Sequence, residues 1–234
     1  MNFVAELTWL EVEQRISAGA AAILPIGAAA KEHGLHLPMN SDQTQAEWFA
    51  ARLSEEINAL VWPTIVYGPY PAFSGFPGSI SLSAGTFVRL LEETLREILR
   101  WHPRHLYVLN TGISTIEPAD EAIGLVRPDS ATHLPLYKGR AYTCLAQVLA
   151  LQSFGSHADE LETSIMLHIA PDKVDMAHAI ATPHGPFNGP LTRDNSPAGT
   201  YGDPRLATSE KGKALTEALM ADLVGACMVS NNAE

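Results

Sequence analysis

The sequence predicts an α/β fold in which a mainly parallel sheet lies between helices on both of its faces. Short apolar runs without polar–apolar alternation recur along the chain, and such runs are typical of strands buried on both faces. Amphipathic segments separate these runs, which indicates right-handed strand–helix–strand units. No repeat, low-complexity run or linker interrupts the 234 residues, so residues 1–234 are predicted to form a single domain.

The first half of the chain alternates regularly between predicted helices and strands. Thr8 is a candidate N-cap and Gly19 a stop signal, which predicts a helix between them. Predicted strands cover residues 20–27 and 59–68, and a predicted helix over 42–57 joins them. The clearest helical pattern lies in residues 83–103, where six apolar positions form one stripe: Phe87, Leu90, Leu91, Leu95, Ile98 and Leu99.

The second half is less regular. Residues 105–112 are predicted to form another buried strand, whereas residues 142–155 are either strand throughout or a strand that passes into a helix. A helix is predicted from Asp159 to just before Pro171, and a last helix covers residues 209–228.

Residues 182–205 form the longest predicted loop, which is rich in proline, glycine and asparagine. A loop of this length needs support from outside itself, so we expect a neighbouring subunit to order part of it. His184 lies in this loop and is a weak candidate for lining a pocket.

The composition restricts the partners of this protein. Fifteen basic and 26 acidic residues give a net charge of −11, which argues against nucleic acid or an anionic membrane as a partner. Glu6, Glu11 and Glu13 occur where a signal peptide needs a basic and then an apolar stretch, and no apolar run is long enough to span a membrane. Cys144 and Cys227 both lie in apolar stretches, which favours two buried thiols over a disulfide. These features predict a cytoplasmic protein.

The segment after the first predicted strand is crowded with potential metal ligands. Glu32, His33, His36 and Asp42 lie within it. Functional groups of such sheets lie in the loops at the carboxyl ends of the strands. Imidazole nitrogens and carboxylate oxygens together suit Zn²⁺, Mn²⁺ and Fe²⁺. His36 stands between two leucines, so a purely structural histidine is the alternative at that position.

A second cluster lies at the start of the predicted helix near Asp159. His157, Asp159, Glu160 and Glu162 supply one imidazole and three carboxylates. Asp159 and Glu162 are one helical turn apart on the same face. The alternative is that Asp159 and Glu160 only cap the helix and stabilise its dipole.

The remaining candidates are weaker. Lys31 is expected to be a surface charge, and the five histidines without an acidic cluster are expected to be structural or solvated: His102, His105, His133, His168 and His178. The chain has no glycine-rich phosphate loop, no CxxC pair and no GxSxG motif, so no nucleotide cofactor is predicted.

Four segments between Leu24 and Leu215 carry a shared signature: LPIGAAAKEHGLHLPMNSD, FSGFPGSISLS, GSHADELETSIML and NSPAGTYGDPRLATSEKGKAL. In the same order they resemble the EQHGPHLP…D, FPGTISL, HAGExETS and SPSGVxGDP motifs of the creatininase family (creatinine amidohydrolase and its relatives). The resemblance covers most of the chain, and four motifs in order are far more specific than any one alone.

This resemblance implies a creatininase-like three-layer α/β/α domain with a two-metal site that opens a cyclic or linear amide. It also implies a homo-oligomer, since creatininase itself is a hexamer. His33 matches the histidine of the first motif, Asp42 the aspartate that bridges both metals, and Glu162 the glutamate of the ETS motif. His157 matches the histidine that is thought to shuttle a proton, which makes it the catalytic candidate.

The chain departs from the family at two ligand positions. Lys31 stands where the family has a glutamate, and Glu32, one position later, is the substitute ligand. Gly112 stands where the family has the histidine of a VNGHGGN loop, and either His36 or His157 could fill the vacant position.

Two functions follow from the sequence. The first is a metal-dependent amidohydrolase that acts on a small amide and uses one or two ions of Zn²⁺, Mn²⁺ or Fe²⁺. The alternative is a degenerate relative that binds a small molecule or a partner protein without hydrolysis, and the missing histidine motivates it.

Overall fold

The computed structural model describes residues 2–126, 131–183 and 185–231. His184, the weak pocket candidate, lies outside the described residues. The described helices are α1 (Trp9–Ser17), α2 (Ser41–Glu56), α3 (Ala84–Leu99), α4 (Ile116–Gly124), α5 (Arg140–Leu149), α6 (Glu160–Ile169) and α7 (Ser209–Asn231). The described strands are β1 (Ala21–Ile26), β2 (Ala59–Val61), β3 (Leu106–Asn110) and β4 (Ala131–Pro135).

The four strands form one parallel sheet in the order β2-β1-β3-β4. The ends of β1, β3 and β4 are in register, since Ile26 pairs with Asn110 and Asn110 pairs with Pro135. The loops that leave these three strands therefore start side by side at one edge of the sheet. This arrangement confirms the predicted parallel sheet.

Helices cover both faces of the sheet. Alternate residues of each strand point to opposite faces, so each strand packs on helices at both sides. Ala22, Leu24 and Ile26 of β1 pack with residues of α3 and α4. Ala21 and Ile23 pack on the other side, with residues of α2, α5, α6 and α7. The result is the predicted three-layer α/β/α arrangement.

Local sequence explains where several helices begin. Thr8 and Glu11 form a reciprocal capping box at α1, and the Ser83 hydroxyl accepts the Thr86 amide at the start of α3. The Asp159 carboxylate caps α6 by accepting the amides of Leu161 and Glu162.

The second strand is much shorter than predicted. It covers Ala59–Val61, whereas the apolar pattern extended to residue 68. Pro63 has no amide hydrogen and interrupts regular pairing. The chain nevertheless continues beside β1, since the amide of Trp62 donates to Ile23 and that of Ile65 donates to Pro25.

The prediction of a strand in residues 142–155 was wrong, because α5 is helical. Its apolar residues repeat at helical spacing, so Tyr142, Leu145 and Leu149 pack on the core while Val148 is exposed. Both cysteines are free thiols, as predicted, but only Cys227 is buried, because Cys144 lies on the exposed side of α5.

Helix α4 and strand β4 were not anticipated. Pro118 falls in the first turn of α4, where its missing amide costs no helical hydrogen bond. In β4 the buried residues are Ala131 and Leu134, a pattern too short to indicate a strand by itself.

Hydrogen bonds within the loop over residues 182–205 connect its two ends. The Thr182 amide donates to Gly202 O over 2.9 Å, and the hydroxyls of Thr182 and Ser196 both donate to Thr200 O. These bonds join the two ends of the loop within one chain. Support of the loop by a neighbouring subunit, and assembly into a homo-oligomer, stay predictions.

In the described part of the chain, no helix combines the length and apolar character needed to cross a membrane. The predictions of one domain over residues 1–234 and of a cytoplasmic location stay predictions.

Two glycines of α7 offer a matched test of how it packs on α6. A Cβ at Gly212 would collide with the backbone carbonyl of Ser164, whereas a Cβ at Gly225 meets open space. We expect Gly212→Ala to destabilise the fold by about 1–3 kcal/mol or more, since α6 and α7 would have to separate. Gly225→Ala should be neutral or stabilise by about 0.5–1 kcal/mol, because alanine favours helix. Urea denaturation followed by circular dichroism measures both, and equal midpoints would contradict this packing.

Candidate metal centre

The carboxyl end of β1 packs closely against the first turn of α2. Gly27 makes this possible, because a Cβ there would lie 2.5 Å from the backbone oxygen of Asp42. The Gln43 amide donates to Ala28 O, and the Thr111 hydroxyl, after β3, donates to Asp42 O. Asp42 is therefore fixed in the first turn of α2, above the ends of β1 and β3.

The loop between β1 and α2 is backed by the segment that follows the Phe73–Gly78 turn. Ser79 Oγ accepts the amide of Glu32 at 3.0 Å, and the Ile80 amide donates to Ala30 O at 2.9 Å. The Lys31 amide donates to Met39 O, which closes the loop on itself. This backbone pairing positions three consecutive side chains: Lys31 contacts Asp42 of α2, Glu32 contacts His157, and His33 contacts both Asp42 and Glu162.

The start of α6 supplies the opposite wall. Asp159 caps α6, as the alternative interpretation of the sequence predicted. Burial raises the pKa of its carboxyl group. Glu160 is structural as well, since its carboxylate accepts the amides of Leu151 and Gln152 and pairs with Lys211. Glu162, in the first turn of α6, accepts the Ala158 amide at 2.7 Å, and its other oxygen faces His33 in the loop after β1.

His33 lies between the two walls. Its Nδ1 contacts Lys31 O at 3.0 Å, and since a carbonyl oxygen only accepts, Nδ1 carries a proton. Its Nε2 lies 3.1 Å from Asp42 Oδ1 and 3.5 Å from Glu162 Oε1. Burial and the Lys31 charge oppose protonation of His33, but the carboxylates of Asp42 and Glu162 outweigh them and raise its pKa to about 9.

This geometry fits a divalent cation. An imidazole nitrogen that faces two buried carboxylate oxygens needs a positive charge between them, either a proton or a metal ion. The carbonyl that holds Nδ1 also holds the ring in the orientation typical of metal-binding histidines. Ligand atoms of His33, His157 and Glu162 lie within 4.8 Å of one another, and Asp42 Oδ1 lies 3.1 Å from His33 Nε2.

His157 is paired with Glu32. Its Nε2 lies 3.0 Å from Glu32 Oε2, and the other Glu32 oxygen accepts the Gly34 amide. Its Nδ1 is 3.9 Å from Glu162 Oε2, and its ring packs against Phe73 at 4.4 Å between centroids. Both oxygens of Glu32 are thus engaged beside the predicted ligands, and its role as a ligand itself stays a prediction.

His36 is near the cluster but turns away from it. Its Nε2 contacts Thr163 Oγ1 at 2.8 Å, while Nδ1 has no hydrogen-bond partner among the described residues. Burial lowers the pKa of His36 to about 4, which keeps its ring neutral. Of the two histidines that could replace the missing ligand, His157 is the one that lies with His33 and Glu162.

Several other histidines contact groups outside this cluster, as expected. These contacts join His105 to Thr132, His133 to Asp120, and His178 to Asp175.

The expectation that Lys31 is a surface charge was wrong. Only 7% of Lys31 is exposed, and its Nζ lies 2.6 Å from Asp42 Oδ2. Nothing in the neighbouring sequence indicates this burial, which accompanies the pairing of the loop after β1 with Ser79 and Ile80.

The loop after β3 borders the site but offers no ligand in place of the missing histidine. Asn110 Oδ1 accepts the Gly112 amide and the Thr115 hydroxyl. A Cβ at Gly112 would lie 2.5 Å from Thr115 Oγ1, so the hydroxyl of Thr115 occupies the space a side chain would need. Sequence reasoning also missed Tyr137, after β4, which donates to Gln45 behind Glu162.

A cavity of about 610 Å³ opens in front of these residues. Lys31, Asp42, His157 and Glu162 line its floor. Its walls are largely aromatic, with contributions from Phe73, Tyr137, Tyr142, Phe187 and Tyr201. Two of these, Phe187 and Tyr201, come from the long loop over residues 182–205. The site is therefore polar at its base and apolar around its mouth.

The family profile described as Creatininase: Creatinine amidohydrolase matches residues 5–227. The chain belongs to the creatininase family. A creatinine amidohydrolase of Pseudomonas putida is 29% identical over 96% of this chain and 95% of that protein. A mycofactocin precursor peptide peptidase of Mycolicibacterium smegmatis is 28% identical over 88% of this chain and 81% of that protein. This protein is thus a creatininase-family hydrolase, a family whose members differ in substrate.

Solved creatininase structures share the fold and carry metals. A manganese form of creatininase superposes with a TM-score of 0.86 at 28% identity, and covers 96% of both chains. A variant creatininase of Zn–Zn type has a TM-score of 0.83 at 27% identity, with 96% of both chains covered. These similarities confirm the predicted divalent-metal cofactor class.

Metal content tests the predicted ligands directly. We expect His33→Ala, Asp42→Ala and Glu162→Ala each to lower metal affinity by more than the roughly 10- to 100-fold typical of losing a supporting contact. His36→Ala removes a buried histidine of the same loop, and it should keep its metal because Nε2 is engaged with Thr163. Plasma mass spectrometry after dialysis measures metal per chain. Loss of metal in His36→Ala equal to that in His33→Ala would show that His36 is a ligand.

Two glycines of the long loop test how that loop supports the site. Gly199 (φ +77°) and Gly189 (φ +102°) both have left-handed backbones, but only a Cβ at Gly199 would collide with Glu32. Alanine at either position should cost about 1–2 kcal/mol of backbone strain. We expect Gly199→Ala to show a further loss of thermal stability and weaker metal binding, since the new Cβ would displace Glu32, which is itself a predicted ligand. Identical melting curves and metal affinities for the two variants would contradict that coupling.

Proposed function

We propose that this protein is a metal-dependent amidohydrolase that hydrolyses a C–N bond of a small cyclic or linear amide. The observation that carries the proposal is the position of His33, whose Nε2 faces both Asp42 Oδ1 and Glu162 Oε1. His33, Asp42 and Glu162 would hold the ion at the floor of the cavity. When bound there, a divalent cation makes water more acidic and polarises a carbonyl oxygen.

The protein's own contribution to proton transfer would come from His157. Glu32 holds His157 Nε2 at 3.0 Å, which leaves Nδ1 on the side of Glu162 and the cavity. An amide nitrogen leaves poorly unless it gains a proton, and a positioned acid contributes about 10²–10⁴ in rate. We assign this transfer to His157 Nδ1 and assign Glu32 the task of orienting the ring.

The cavity would accept a neutral, partly apolar substrate. Its volume of about 610 Å³ falls within the range of sites for drug-sized ligands and exceeds what a single small ring fills. One relative is named for creatinine and another for a precursor peptide. The aromatic walls would hold the part of the substrate beyond the scissile amide, while the polar floor would bind its carbonyl oxygen.

A substrate panel tests the proposed reaction. The metal-loaded protein is incubated with creatinine, other small cyclic amides and short linear peptides, and products are identified by mass spectrometry. Hydrolysis of at least one class, lost in Glu162→Gln, is the expected result. A protein that holds metal but hydrolyses none of them, and binds one without turnover, would favour the alternative of a non-hydrolytic binding protein.

The role of His157 has a sharper test once a substrate is found. His157→Gln should lower kcat by about 10²–10⁴ while metal per chain stays unchanged, because a proton donor contributes to rate and not to metal binding. The control is His178→Gln, a histidine whose side chain is 65% exposed and pairs with Asp175. Loss of metal together with loss of turnover would instead make His157 a ligand.

A further inference from the structure

The Lys31 ammonium is built into the centre of the site. Its Nζ lies 2.6 Å from Asp42 Oδ2, and the side chains of both residues are almost fully buried. The ammonium also lies over the Phe73 ring, 5.0 Å from its centroid, and 5.7 Å from that of Tyr70. One carboxylate and two aromatic faces form a pocket for a positive charge. The chain fills this pocket with its own side chain.

The two oxygens of Asp42 consequently face different positive charges. Oδ1 faces His33 Nε2 and the proposed metal position, whereas Oδ2 faces Lys31. A carboxylate that bridges two metal ions presents one oxygen to each ion, and here the second oxygen has an ammonium beside it instead. A second divalent ion at Oδ2 would lie against the Lys31 charge, which opposes its binding.

The charges of the cluster fit one divalent ion. Glu32, Asp42 and Glu162 supply three carboxylates, and Lys31 supplies one ammonium. With neutral histidines this leaves two negative charges, which one divalent ion neutralises. A second divalent ion would leave an excess of positive charge in a buried site, which is unfavourable.

Among the described residues, the loop after β3 offers no further metal ligand near Oδ2. The nearby loop after β3 presents Thr111, Gly112 and Ser114, with no carboxylate, imidazole or thiolate among them. The Thr111 hydroxyl donates to Ile26 O and Asp42 O, and the Ser114 hydroxyl donates to Pro69 O. The ammonium thus lies where a metal ion would find one carboxylate oxygen and already engaged hydroxyls.

We propose that Lys31 takes the place of a second metal ion, so that the site binds one divalent cation and uses the Lys31 ammonium as its second positive charge. This inference rests on the proposed metal-dependent function. The ammonium lines the same cavity as His157 and Glu162, so it is placed to donate a hydrogen bond to a substrate oxygen. The Lys31 ammonium supplies this positive charge at any metal concentration, because it is covalently part of the chain.

Metal stoichiometry of the parent protein is the first test. Metal-free protein is titrated with Mn²⁺ and, separately, with Zn²⁺ by isothermal titration calorimetry, and metal per chain is measured after dialysis. One ion per chain at saturation supports the inference. Two ions per chain in the cluster would overturn it while leaving the proposed function intact, and no bound ion would overturn the proposed function itself.

Charge removal at Lys31 is the second test. Lys31→Gln should still bind one ion, but more tightly by about tenfold or more, because a neighbouring like charge has been removed. The melting temperature of the metal-free variant should fall and should rise more on metal addition than in the parent. The matched control is Lys213→Gln, which removes the same charge at an exposed position of α7.

The outcome of this comparison is decisive in both directions. Tighter binding in Lys31→Gln, with unchanged binding in Lys213→Gln, supports a positive charge that competes with metal. Equal metal affinity in the parent and both variants would overturn the inference. If Lys31→Gln does not fold, the stoichiometry of the parent protein still decides between one ion and two.

Discussion

The buried carboxylate of Asp42 is the constraint on which the rest of the site depends. Only 1% of this residue is exposed, and a carboxylate withdrawn from water this far must be neutralised. Burial raises the pKa of Asp42, but Lys31 and His33 outweigh it and hold the pKa below its ordinary value. Removing one partner of a buried ion pair typically costs about 3–5 kcal/mol, because the other charge is left unpaired. Lys31 at one oxygen and His33 at the other therefore keep this buried side chain ionised.

The architecture meets this requirement through the parallel sheet. Parallel strands end at a common edge, so the loops after β1 and β3 reach Asp42 from adjacent positions. The same edge receives the start of α6, whose capped first turn presents Glu162 to His33. His33, His157 and Lys31 outweigh the effect of burial on Glu162 and hold its pKa well below the ordinary range. Two carboxylates from different parts of the chain consequently stay charged around one imidazole.

The chain shares the family's fold, whereas Lys31 and Gly112 differ from the family motifs, and each difference has its own physical explanation. The fold and the His33, Asp42 and Glu162 positions accord with a creatininase-family hydrolase, as do metal-containing structural neighbours. At Gly112 the departure is sterically consistent, because Thr115 fills the space beside it. At Lys31 it is electrostatically consistent, because the ammonium places a positive charge beside Asp42 Oδ2. The two substitutions thus fit together as one altered half of the site.

The sequence by itself determined the features that depend on neighbouring residues. Unbroken apolar runs indicated β1 and β3, capping residues indicated the starts of α1 and α6, and the four motifs indicated the family. The histidine and carboxylate cluster was also visible, because its members lie close together in the chain. Strand β2 was overextended and α5 misread, since short apolar runs carry the same pattern in strands and helices.

Only the tertiary structure decided which of these side chains meet. His157 and Glu32 are 125 positions apart, and no local pattern indicates that one orients the other. The burial of Lys31 depends on the pairing of its loop with residues 79–80, and the contact of His36 with Thr163 depends on where α6 packs. Periodicity and capping act over one or two turns of chain, whereas charge pairing in a buried site depends on distances in space. The cluster of candidate ligands could therefore be predicted from the sequence, and the charge that lies beside it could not.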